Sequence, residues 1–159
     1  MKFGVISDTH GDEAAIRQAV ALIGEVDGWL HAGDYSQDGA VLAALTGQKI
    51  IAVKGNCDGA ASANINEFID VDGKKIWLTH GHRYQVKQGI HELSWWARQY
   101  EADAVIYGHT HVSNIFWDKE LLLFNPGSAA CFNWNDNSAC GILEVDSAGN
   151  IIPRILKIA

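Results

Sequence analysis

Five times along the chain an apolar, strand-like run stops at a cluster of Asp, Asn or His. The clusters are Asp8-Thr9-His10, Gly33-Asp34, Gly55-Asn56-Cys57-Asp58, His80-Gly81-His82 and Gly108-His109-Thr110-His111. In open α/β sheets ligands bind at the carboxyl ends of strands, so clusters at that edge converge on one crevice. The intervening sequence has the matching periodicity. Residues 2–7, 29–32 and 49–53 are short apolar runs; between them Ile16, Ala19, Val20 and Ile23, and then residues 40–45, take helical spacing. Strands alternating with helices imply right-handed crossovers and a parallel sheet. The second half reads differently. Residues 68–71, an Asp72-Gly73 turn and residues 75–79 form a hairpin, and a helix covers about 90–100 with Ile90, Leu93, Ala97 and Tyr100 on one stripe. Residues 104–107, 113–117, 121–124, 141–145 and 151–157 are further strands. The expected fold is α/β: two packed sheets with helices outside, parallel early and antiparallel late, in one domain over residues 1–159.

Composition narrows the function classes. A chain of 159 residues is one domain's worth and buries a core without staples. Twelve Lys and Arg against nineteen Asp and Glu give a net charge of −7, with no basic run, so duplex nucleic acid is not an expected partner. The N-terminal run turns polar at Ser7-Asp8, and no apolar stretch approaches the roughly 20 residues of a membrane span. Neither a signal peptide nor a membrane segment is expected, and the predicted location is cytoplasmic. Cys57, Cys131 and Cys140 form no C-x-x-C pair, which suits a reducing compartment and predicts no disulfide.

The converging set is chemically specific. Asp8, His10, Asp34, Asn56, His80, His109 and His111 make seven oxygen and nitrogen donors, with no thiolate needed. Such a set suits Mn, Ni, Fe or Zn, with Mn or Ni favoured, over a structural cysteine zinc site. Seven is too many for one catalytic ion, so two divalent cations are expected. A carboxylate such as Asp34 bridges ions roughly 3.5–4 Å apart, and a shared water there loses its proton near neutral pH and becomes a nucleophile suited to in-line attack at phosphorus. Two cations against two carboxylates leave the site positive within a negative protein, so a phosphate ester is drawn in locally. Each cluster alone has a plain reading: Asp-Thr-His as an Asx turn or helix cap, Gly-Asp as a turn, Asn56 as a left-handed residue. Their number and order favour the ligands.

The ordered set D-x-H, G-D, G-N-x-D, H-G-H and G-H-T-H resembles the calcineurin-like metallophosphoesterase superfamily, and the short length with Gly55-Asn56-Cys57-Asp58 resembles its small bacterial and archaeal phosphodiesterases. The likeness runs from Asp8 to Asn125-Pro126-Gly127-Ser128, nearly the whole chain. It implies a two-sheet αββα sandwich and hydrolysis of small phosphodiesters. By that resemblance Asp8, His10, Asp34 and His111 hold one metal, and Asp34, Asn56, His80 and His109 hold the other. Asp34, Asn56 and His82 are the expected catalytic residues. One departure stands out: many relatives carry histidine after G-N, where it protonates the leaving group or steadies phosphoryl oxygens, and here that position is Cys57. A thiol is a poor substitute for a positioned acid, so His82 or a water supplies the proton, or the favoured leaving groups need none. The alternative on this fold is a scaffold subunit of the kind found in eukaryotic trafficking complexes, where metal ligands are partly lost.

His31 and His91 read as structural, and Trp29 and Trp77 as core. Asp58 either orients a ligand or caps a turn. The adjacent Trp95 and Trp96 cannot both face the protein, and with the apolar loop after Cys131 they predict self-association.

Overall fold

The structure, a computed structural model, describes residues 1–59, 63–130 and 137–158. Along the chain come β1 (Lys2–Ile6), α1 (Glu13–Ile23), β2 (Gly28–His31), α2 (Gly39–Thr46), β3 (Ile50–Ala52), β4 (Asn66–Val71), β5 (Lys74–Thr79), α3 (His91–Gln99), β6 (Ala104–Ile106), β7 (Asn114–Asp118), β8 (Leu121–Asn125), β9 (Ala139–Val145) and β10 (Ile151–Lys157). They form two five-stranded sheets, ordered β10-β9-β1-β2-β3 and β4-β5-β6-β8-β7.

Strand alternation builds the layers. Phe3 and Val5 of β1 point between the sheets, where they meet Leu30, Ile76, Leu78, Ile106, Leu122 and Phe124. Ile6 points the other way, onto a cluster with Trp29, Ile16, Ala19 and Ile23 of α1 and Leu42 of α2. On the far side Trp77, Val105, Leu121 and Leu123 pack on Leu93 and Ala97 of α3. The result is the expected four-layer αββα sandwich. Asp12 starts α1 by accepting the Ala15 N–H at 3.0 Å, a side-chain cap for an otherwise unpaired donor. Trp29 and Trp77 are core, as expected. On α3, Trp96 joins the third cluster while Trp95 is 55% exposed, because neighbours on a helix point about 100° apart.

One expectation is corrected. The late strands are not all antiparallel: β5–β6 and β6–β8 pair parallel. The α3 crossover between β5 and β6 is long enough to return the chain in the same direction, and β7 takes the outer edge antiparallel to β8, which brings β8 beside β6 in parallel. Strand ends also shift, β9 beginning at Ala139 and β7 spanning Asn114–Asp118. Cys57 and Cys140 are free thiols. Cys131, and the 132–137 loop apart from Asn137, lie outside the described residues. Among the described residues no helix is long and apolar enough to cross a bilayer.

This topology puts carboxyl ends from both sheets on one rim. Asp8 N–H donates to the Gly33 carbonyl at 2.9 Å, Gly108 N–H to His80 at 3.0 Å and Ala129 N–H to Ser7 at 3.0 Å. The turns after β1, β2 and β8 are thereby laced together, as are those after β5 and β6.

Candidate metal centre

The site residues occupy those turns in unusual backbone states. Asp8, His10, Asp34, His109 and His111 have φ of 52°, 45°, 57°, 71° and 62°. Side chains other than glycine seldom take the left-handed region, although Asp and His tolerate it best. Such residues persist where surroundings over-determine them, and they cluster at functional sites. Here the bend after each strand turns the side chain back over the rim.

All seven expected donors are brought to that rim. One donor atom each from Asp8, His10, Asp34 and His111 lies within 4.8 Å of the others. His111 Nε2 is 3.2 Å from Asp8 Oδ1, and His10 Nε2 is 3.5 Å from Asp34 Oδ2. His80 Nε2 stands beside this group, 3.4 Å from Asp34 Oδ2, 3.8 Å from Asp8 Oδ1 and 3.0 Å from Asn56 Oδ1. The His109 ring centre is 5.0 Å from that of His80, and the His82 ring centre is 5.4 Å from it.

The donor set fits a cation. Asp8 is fully buried, and its Oδ2 accepts from Ser7 Oγ at 2.5 Å and His109 N–H at 3.2 Å. Its Oδ1 accepts no hydrogen bond and faces imidazole nitrogens. A buried carboxylate oxygen without a donor is costly unless a cation neutralises it. The donors are hard oxygens and borderline imidazoles, the set that divalent first-row metals take.

Charges across the rim are coupled. Burial pushes the Asp34 carboxyl up, but the His80 ring and the Cys57 N–H, 2.9 Å from Oδ1, outweigh it and hold Asp34 well below the usual range. Burial depresses His80, yet Asp34 and Asp8 override it and raise the ring above its ordinary value. His109 is lowered to about 4 by burial and then by His80, and His82 is lowered for the same two reasons. Burial raises the Cys57 thiol, and the Asp34 charge adds to it. A cation held by His80 would need its ring deprotonated, so such binding would depend on pH.

Supporting residues went largely unread in the sequence. Asp58 accepts Gly55 N–H at 2.6 Å and Ser36 N–H at 2.9 Å, so it closes its own turn and ties it to the turn after Asp34. Asn125, fully buried, donates to the Gly108 carbonyl at 3.1 Å and to Thr110 Oγ1 at 2.9 Å, pinning the loop of His109 and His111. Ser128 Oγ donates to the Asp8 carbonyl at 2.9 Å. Thr9, His31 and Asp38 form a further buried network. The sequence signal for these residues was polar identity next to a ligand cluster, which turn-forming residues share.

Comparison with known proteins agrees with this geometry. The family model described as the calcineurin-like phosphoesterase superfamily domain matches residues 1–148. "Probable metallophosphoesterase YsnB" of Bacillus subtilis (strain 168) is 32% identical, over 93% of this chain and 92% of its own length. "Phosphodiesterase MJ0936" of Methanocaldococcus jannaschii is 30% identical, over 92% and 94%. Among solved structures, a Streptococcus pneumoniae TIGR4 protein named as a predicted phosphoesterase superposes with a TM-score of 0.81 at 28% identity, covering 98% of this chain and 88% of that one. Wild-type Vps29 of Entamoeba histolytica, complexed with Zn²⁺, superposes at 0.76 with 21% identity over the full length of both chains, a likeness of fold alone.

Proposed function

This chain belongs to the calcineurin-like phosphoesterase superfamily, and on that premise we propose that it is a divalent-metal-dependent phosphodiesterase acting on small phosphodiesters. One observation carries the reading: donors of Asp8, His10, Asp34 and His111 lie within 4.8 Å of one another, and the Asp8 oxygen among them accepts no hydrogen bond. Those four residues would hold one cation; Asp34, Asn56, His80 and His109 would hold a second, with Asp34 shared. When bound, two such cations, Mn or Ni ahead of Fe or Zn, supply Lewis acidity toward phosphoryl oxygens and a water acidic enough to act as hydroxide near neutral pH.

The protein's own residues set the rest. The Cys57 N–H fixes Asp34 Oδ1, which leaves Oδ2 turned to the imidazoles. Asn56 holds its carbonyl toward His80, so its amide N–H is the donor available to a phosphate oxygen. His82 is half-buried with an unpartnered Nδ1 and a lowered pKa, which makes it a neutral ring for contacting substrate. Neither His82 nor the raised Cys57 thiol is a strong proton donor at neutral pH, so leaving groups of low basicity are favoured. The acidic surface argues against duplex nucleic acid as substrate.

The scaffold alternative places no chemical demand on the ligands, yet all seven donors are kept. Hydrolysis of bis(p-nitrophenyl) phosphate by EDTA-stripped protein, with and without returned Mn²⁺ or Ni²⁺, separates the two. Activity lost on stripping and restored by metal is the expected outcome. Equal rates in both states would overturn the metal dependence, and bound metal without hydrolysis would favour the scaffold.

A further inference from the structure

We infer that His31, which touches no candidate ligand, is a positioning residue for the metal centre: through Thr9 it locks the two turns carrying Asp8, His10 and Asp34 into one preformed unit. The inference rests on the proposed function, since it concerns how tightly that centre holds a cation.

Hydrogen-bond directions around the ring are fixed. Gly33 N–H points at His31 Nδ1 at 3.1 Å, so Nδ1 is the acceptor and a neutral ring carries its proton on Nε2. Nε2 lies 2.9 Å from Thr9 Oγ1, so it donates to that oxygen. The Thr9 hydroxyl is then free to donate to Asp38 Oδ2 at 2.6 Å, which also accepts Gly11 N–H at 2.8 Å. The chain of bonds runs from the Gly33-Asp34 turn, through His31 and Thr9, to the segment just after His10. Thr9 Oγ1 also lies 3.5 Å from the Asp34 carbonyl, but Asp38 is its closer acceptor.

These turns need such a lock. Asp8, His10 and Asp34 all sit at positive φ, and relaxing any one swings its donor away from the others. His80 has its own orienting partner, the Ala32 carbonyl at 2.7 Å, as metal-binding imidazoles generally do. The Asp8 and Asp34 carboxylates have their own orienting donors in Ser7 Oγ, the His109 N–H and the Cys57 N–H; His31 and Thr9 add the link that joins the turn of Asp34 to the turn of Asp8 and His10. The ring is fully buried at the end of β2, where an apolar residue would leave the Gly33 N–H without its acceptor. Burial also keeps it neutral, with a pKa near 4, consistent with one donor and one acceptor nitrogen.

The test is Mn²⁺ titration of EDTA-stripped protein, followed by loss of the free-Mn²⁺ EPR signal. His31→Phe and Thr9→Val should weaken binding roughly 10- to 100-fold, the usual effect of losing an orienting partner. His31→Gln, which keeps a donor toward Thr9, should lose less. Leu93→Ala, a core truncation under α3, should lower thermal stability and leave Mn²⁺ affinity unchanged, so a merely structural role for His31 would not reproduce the pattern. Long-range ¹⁵N spectra of the unmodified protein should show the His31 ring protonated on Nε2. A folded His31→Phe that binds Mn²⁺ as tightly as wild type, or a ring protonated on Nδ1, would overturn the inference. If His31→Phe fails to fold, Thr9→Val and the ¹⁵N spectrum decide. Absence of Mn²⁺ binding by the wild type would instead overturn the metal-centre reading, and this one with it.

Discussion

Gly108→Ala tests how tightly the rim is built. Gly108 precedes His109, and both ends of its peptide are tied: its N–H donates to His80 at 3.0 Å and its carbonyl accepts from Asn125 at 3.1 Å. A Cβ placed there strikes Ser7 Oγ, lies 2.6 Å from Asp8 Oδ2 and 3.1 Å from Ser7 Cβ. Ordinary contact begins at 3.4 Å rather than 2.6 Å, so the Asp8 carboxylate must retreat by about 0.8 Å unless the tied backbone breaks. Overpacking of this kind costs about 1–3 kcal/mol, which lowers the melting temperature of a protein this size by about 2–12 °C. That is a fraction of the about 5–15 kcal/mol of a typical domain, so the variant folds. Misplacing a catalytic group by about 1 Å costs on the order of 10²-fold in rate. The expected result is therefore a folded protein with a modestly lower Tm and Mn²⁺-supported diester hydrolysis reduced about 100-fold. Differential scanning fluorimetry and p-nitrophenolate release measure the two. A lowered Tm with kcat/KM within twofold of wild type would refute the reasoning, because Asp8 would then not need its present position.

Asp34→Asn should be more damaging than His10→Ala in the same assay, exceeding the roughly 10- to 100-fold of a lost supporting residue, if Asp34 serves both donor groups as proposed; equal losses would argue against sharing. Cys57→His should flatten the dependence of rate on leaving-group pKa across a graded series of phosphodiesters, and parallel slopes would exclude position 57 from proton transfer. The metal-free protein should lose stability in acid on account of His31. Its folded ring takes up a proton only near pH 4 whereas the unfolded one does so near 6.5. The unfolded chain therefore binds more protons in between, and stability falls by about 3 kcal/mol as pH drops through that window. Urea titrations at pH 7 and pH 4 should show a smaller drop for His31→Gln, and an unchanged drop would sink the assignment. Self-association through the exposed Trp95 should appear in sedimentation equilibrium at micromolar protein, and a clean 17.3 kDa species would remove it.

The strands and helices were legible in the sequence because each is a local matter of apolar period. Ile16, Ala19 and Ile23 face one way on any helix, and Phe3 and Val5 one way on any strand. The ligand clusters were legible for a related reason. A strand that ends at Asp8, Asp34 or His80 presents that residue at its carboxyl edge whatever the rest of the fold does, and five such ends point to one crevice. Family likeness then suggested how the donors would divide between two cations. Tertiary structure alone decided what holds them. The parallel pairing of β6 with β8 depends on β7 taking the outer edge of the sheet. The Asp58 link to Ser36 and the Thr9 links to His31 and Asp38 join residues 22 to 29 positions apart, and the contact of the His109 N–H with Asp8 spans 101. No local period encodes such pairings. They exist because two sheets pack face to face and bring their carboxyl ends to one rim, where buried polar groups must find partners that only the finished fold supplies.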